Sequence, residues 1–228
     1  MSTLTARTRR RIGASAWATA WFGLVAGQLH ALSRHRTVDG RADLEIAATR
    51  FWSDPARDLL APLLEWADAD TVYLTYGKLW IPVFLAFTLC AWVVMRRRGP
   101  RGFERLAWLA ALTTYVAATT SVVAYYGLQW NGFNAVEGPA DILMFTSLPL
   151  MVLATTVLGI TLLVKGFRPR LPAVLLTLQI PLLVGITEVT SLGSGALPAI
   201  FAFGLLGRRI ARDAEVVDSP QRSTMPVG

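Results

Sequence analysis

Met95-Arg96-Arg97-Arg98-Gly99-Pro100-Arg101-Gly102-Phe103-Glu104-Arg105 sets five arginines in eleven residues between two long apolar runs. A soluble core has no use for a basic hinge between two segments of membrane-crossing length. Arginine and lysine beside a span are retained on the cytoplasmic side, so this loop orients the chain. The expectation is an all-α integral membrane protein, a polytopic helical bundle with six transmembrane segments and both ends inside. Five segments with an outside carboxyl end form the alternative.

Composition agrees. Apolar residues make up 54% of the 228 and charged residues 16%, well short of the quarter usual for soluble domains. The net charge of +7 raises nucleic-acid binding, but the basic residues stand at span ends rather than on one amphipathic face, which excludes it. The lone Cys90 rules out an internal disulfide and any cysteine-rich metal site. HExxH, GxSxG, P-loop, paired CxxC and Rossmann glycine patterns are all missing, so no catalytic residue, cofactor or metal site is assigned.

Toward the amino end, Arg7, Arg9, Arg10 and Arg11 precede an apolar run from about 12 to 32. It exceeds a signal-peptide core and lacks a convincing cleavage site, so it reads as an uncleaved first span. Ala16, Ala20, Gly23, Gly27 and His30 share one face, whereas Trp17, Trp21, Val25 and Leu29 point elsewhere. Small residues let a second helix approach closely, in this chain or in another copy or subunit through Gly23 and Gly27. The face therefore meets protein and carries His30 inward.

Residues 33–72 form the long polar segment, expected outside. Ser53-Asp54-Pro55 reads as a helix start, which gives two short amphipathic helices near 42–53 and 55–67. Asp39 and Asp43 make a DxxxD, but two carboxylates alone are a weak magnesium site, so a solvated acidic loop is expected. The second span covers about 73–95, with Tyr73 and Tyr76 at the outer interface. Lys78 lies just inside it. Pro82 cannot donate to the Lys78 carbonyl, and the lysine is expected to snorkel outward.

Beyond the hinge, a third span covers about 106–128 and carries Ala107, Ala111, Thr114, Ala118, Ser121 and Tyr125 on one stripe. Asp141 opens a fourth span, 142–164, where a carboxylate suits the positive helix end. Lys165, Arg168 and Arg170 mark the inside again. The apolar region from 171 to 207 is too long for one crossing and interrupted by Glu188 and Gly193-Ser194-Gly195, so it reads as a hairpin with spans near 171–188 and 195–210, kinked by Pro181 and Pro198. The segment 213–228 reads as a disordered tail following a single membrane domain, 1–212.

One asymmetry bears on function. With the hinge inside, His30, Lys78, Asp141 and Glu188 all fall at outer span ends, joined by Tyr125, Tyr126, Trp130, Asn131 and Asn134. Ionisable groups inside spans mark sites when they converge, and mere interface decoration when they scatter. The ligand-binding set expected from sequence is His30, Lys78, Tyr125, Asp141 and Glu188, with Glu188, His30 and Lys78 meeting in an outward pocket. The protein is then a non-enzymatic small-solute binding or transport unit, or an accessory subunit, of a plasma (inner) membrane of bacterial type. The alternative is an enzyme acting on a lipid or lipid-linked substrate at the outer leaflet, with Glu188 or His30 as acid–base groups.

Overall fold

The computed structural model of the chain describes residues 4–130, 132–190 and 192–218, all in helices and turns with no strand among them. In order these are α1 (Ala6–Arg34), a 3-10 turn (Asp39–Glu45), α2 (Ala47–Leu59), α3 (Ala61–Leu64), α4 (Ala69–Lys78) and α5 (Trp80–Arg98). There follow α6 (Gly102–Val122) with a π turn (Val123–Gly127), α7 (Glu137–Val164), α8 (Arg170–Thr177), α9 (Gln179–Thr187), a second 3-10 turn (Leu192–Ala196) and α10 (Leu197–Asp218). Three units are long and apolar enough to cross a membrane: Ala69–Arg98, Gly102–Gly127 and Glu137–Val164. The bent pair α8–α9 makes a fourth if taken as one span.

The basic hinge is built as its residues dictate. α5 ends on Gly99 at φ 58°, a left-handed cap that costs glycine nothing, and Pro100 cannot continue the helix. Arg98 turns back to Glu104 in the first turn of α6, Nε to Oε1, at 2.9 Å.

α1 and α10 lie antiparallel along a seam of small residues. A Cβ on Gly13 would strike the Gly207 carbonyl, one on Gly204 would sit 3.0 Å from Ala20, and one on Gly27 3.1 Å from Ser194 Oγ. The chain therefore reverses between α9 and α10, and α10 returns to the end where α1 begins. There Arg10 pairs with Glu215 at 2.8 Å and Arg97 with Asp213 at 3.2 Å. Those carboxylates explain why α10 runs on to Asp218: the segment from Asp213 is helical for its first turn and a half, not a disordered tail. Residues 219–228 lie outside the described set.

Gly159 lets α8 press against α7, for a Cβ there would collide with the Thr177 amide. At Leu178 the chain then bends by 62° into α9. Pro181 sits in the first turn of α9, where it removes the bond to the Thr177 carbonyl but fits a helix start. Gln179 fixes the bend from inside. Fully buried, it donates through Nε2 to Gly195 O (2.7 Å) and accepts at Oε1 from Ala199 N (3.1 Å), so it satisfies an unpaired amide at the start of α10. Pro198 is the second residue of α10, a start rather than a kink.

The 33–72 segment folds as a cap over the end opposite the arginines. Arg34 Nε donates to Asp43 Oδ2 at 2.8 Å, Thr49 Oγ1 to Glu188 O at 3.1 Å, and Trp52 Nε1 to Val189 O. Two sequence expectations fail here. Ser53-Asp54-Pro55 starts no helix: α2 runs through Pro55, and Asp54 pairs with Arg57 instead of capping. One missing backbone bond is tolerated because Thr49 and Trp52 already anchor α2 to the loop after α9. Asp141 opens no helix either. Asn134 holds the preceding turn through Val136 N and Glu137 N, so α7 starts at Glu137 and Asp141 falls in its second turn.

Candidate functional site

Tyr73, Gly77, Trp80, Phe84, Phe87, Ala91 and Val94 recur at intervals of three and four, and all are buried. They form the face that α4 and α5 turn to the bundle, continuous across the break at Leu79. Tyr73 is therefore an interior residue and not part of an interfacial belt. Opposite it, the π turn inserts a residue into the helical ladder and brings two consecutive tyrosines inside. Tyr125 and Tyr126 meet edge to face at 4.8 Å. Such turns are frequent at functional sites.

His30 completes the cluster from α1. Its ring stacks on Tyr73 (centroids 4.7 Å apart, 19° between planes) and meets the edge of Tyr126 at 5.2 Å. Trp80 Nε1 donates to His30 Nδ1 at 3.3 Å, and the hydroxyls of Tyr73 and Tyr126 lie 3.1 Å apart. An imidazole that accepts at Nδ1 carries its proton at Nε2. That Nε2 is buried without a hydrogen-bond partner among the described residues, as is Ser194 Oγ beside Gly27. The glycines are what make the cluster close-packed: a Cβ on Gly77 would run into the Tyr126 ring, and one on Gly27 would come within 3.0 Å of Trp80. Gly23 and Gly27 thus serve contacts within the chain.

Trp80 and Tyr126 also wall a cavity of about 420 Å3 on their far side, between α5, α6, α7 and α9. Its other walls include Phe84, Leu148, Met151 and Leu183, and apart from the tyrosine hydroxyl and the indole nitrogen its lining side chains carry no polar atom among N and O. Phe145, Leu153 and Ile180, at 64%, 55% and 39% exposure, mark a mouth on the apolar outer face of the bundle. The opening has a local cause. α8 is clamped to α7 at Gly159, and the bend at Leu178 leaves a gap between α7 and α9. A wider furrow of about 700 Å3 runs between α1, α9 and α10, past Trp17, Trp21 and Phe201, but touches no part of the histidine cluster.

Of the five residues expected from sequence, the structure brings together His30 and Tyr125, through Tyr126. Lys78 is half-buried and lays its ammonium 4.1 Å over the exposed Trp130 ring. Asp141 lies on the Tyr125 side of the bundle, half-buried, as an electrostatic neighbour of that hydroxyl. Glu188 is exposed, and the fold uses its backbone carbonyl, not its carboxylate; it neither bonds nor pairs with His30 or Lys78. Among the described residues no hydrogen bond or ion pair joins Glu188, His30 and Lys78 to one another. Asn131 lies outside the described residues. Sequence reasoning passed over Trp80, Gly77 and Gln179. The first two were visible as members of the three-and-four stripe; for Gln179, a lone amide in an apolar run was the one sign.

No group of three or more histidine, cysteine, aspartate or glutamate side chains suited to a metal ion occurs among the described residues. Comparison of the chain with protein-family models, with curated proteins and with solved structures gave no match.

Proposed function

We propose that the protein is a non-enzymatic binding component of a plasma membrane whose ligand has an apolar, lipid-like body held in the cavity between α5, α6, α7 and α9. The observation that carries this reading is the cavity itself. Its volume of about 420 Å3 falls among ligand pockets, its walls are apolar, and its mouth faces where acyl chains would lie. Its polar groups are the Tyr126 hydroxyl and the Trp80 indole nitrogen, which bond to Tyr73 and His30 behind them. The reading includes six crossings with both helix ends at the basic side in the cytoplasm, since fifteen of the basic side chains in residues 4–218 cluster there. Lys78, Asp141 and Glu188 have no part in ligand contact.

An acid–base enzyme is the weaker reading, because the imidazole is walled in by three aromatic rings and, among the described residues, bonds to no carboxylate. Mass spectrometry of lipids retained by the purified protein tests the binding role. The wild type should carry a bound amphiphile, and Leu148→Trp, which fills the cavity, should lower its retention about tenfold. Equal retention by a folded Leu148→Trp protein would refute the assignment.

A further inference from the structure

At the opposite end a groove of about 260 Å3 lies between the last turns of α5, the turn joining α7 to α8, and α10. Arg97, Arg98, Arg168 and Arg209 line it. Arg97 donates to Asp213 at 3.2 Å and Arg98 to Glu104 at 2.9 Å, so two of the four are compensated within the protein. Arg168 and Arg209 are exposed and have neither an ion pair nor a hydrogen bond among the described residues. Four planar donor sets thus converge on one groove, with two charges unmet.

The remaining walls are the apolar Val94, Phe167, Pro169, Leu206 and Ile210, and the Asp213 carboxylate, which is held by Arg97. A topology signal needs arginines near a span end, but it does not need them gathered around an apolar floor. A free phosphate would use the guanidiniums and leave that floor idle. An amphiphile uses both, its phosphate held by paired N–H donors and its first carbons laid on the phenyl and aliphatic side chains.

We propose that this groove is a binding site for the phosphodiester headgroup of an anionic lipid, held chiefly by Arg168 and Arg209 with Arg97 and Arg98 in support. The site is independent of the chain-binding cavity, which lies at the other end. Basic pockets between membrane helices are suited to such headgroups.

Titration of the purified full chain in neutral detergent tests this, with thermal stabilisation as readout and three probes: phosphatidylglycerol, phosphatidylcholine and inorganic phosphate. Phosphatidylglycerol should stabilise the protein, and the other two should not at equal concentration. The double variant Arg168→Gln/Arg209→Gln should raise the half-saturating phosphatidylglycerol concentration by about tenfold or more, and Arg41→Gln, on the cap, should leave it unchanged. Arg168→Lys/Arg209→Lys keeps the charge but loses the planar fork and should fall between. Equal stabilisation by phosphatidylcholine, or an undiminished response in the glutamine double variant, would overturn the proposal. A response to inorganic phosphate matching that to phosphatidylglycerol would overturn it in favour of a simple anion site.

Discussion

Single residues decide how tightly the aromatic cluster closes. Gly77 is the sharpest case, because a side chain there would meet the buried Tyr126 ring, which is packed against His30, Tyr73 and Tyr125. Gly77→Ala should cost about 1–3 kcal/mol by overpacking, whereas Gly138→Ala, with open space around it, should cost almost nothing. Thermal unfolding of the two variants in one detergent separates them. His35, just past the end of α1, gives a pH-dependent counterpart. Desolvation lowers its pKa below the ordinary 6.5, the charges of Arg57 and Arg34 push the same way, and Asp43 opposes them. A base whose folded pKa is depressed is held neutral by the fold, so its contribution is intact above 6.5 and fades as pH falls through 6.5 toward the folded value. Amide exchange across α2, corrected for intrinsic rates, should therefore quicken between about pH 7.5 and about pH 5. His35→Phe, which keeps the ring and abolishes its titration, should flatten that dependence; an unchanged profile would exonerate His35.

Among the elements, what the sequence revealed and what it hid differ by physical cause. The small face of α1 was legible because close helix approach demands small side chains at helical spacing, and Ala16, Ala20, Gly23, Gly27 and His30 are all buried as that face requires. That the chain turns back between Arg170 and Arg212 was legible from length. Pro55 misled, since a proline marks a helix start only when nothing else holds the preceding turn in place, and Thr49 and Trp52 do hold it. Glu188 misled in another way: a carboxylate near the end of an apolar run looks buried in one dimension, but the bend at Leu178 carries α9 to the rim. That bend depends on Gln179. Gln179→Leu would leave Gly195 O and Ala199 N buried without partners, at about 1–3 kcal/mol for each group. Gln28→Leu, in the outer furrow, should be close to neutral by the same thermal measurement. Comparable losses in both would mean that Gln179 does not hold the bend.

The whole molecule has two chemically distinct ends, one tied by arginine–carboxylate pairs and one closed by a capped aromatic cluster. Reporters fused after Arg212 and ahead of Ile12 should therefore score on the same, cytoplasmic side, and a reporter placed at 38 on the other. A reporter after Arg212 that scored with position 38 would break the six-crossing arrangement. The seam between α1 and α10 has a consequence in time rather than in space. α1 leaves the ribosome well before α10 and finds cover for Gly23 on α5, but Gly13 and Ala16 wait for Gly207. Until α10 is made that stretch of backbone stays open to lipid or to any helix that happens by, and the bundle becomes a closed ring only when α10 docks. A chain cut in the loop before α7 and produced as two pieces should then reassemble through this seam, and Gly207→Leu should abolish the rejoining while both pieces still insert.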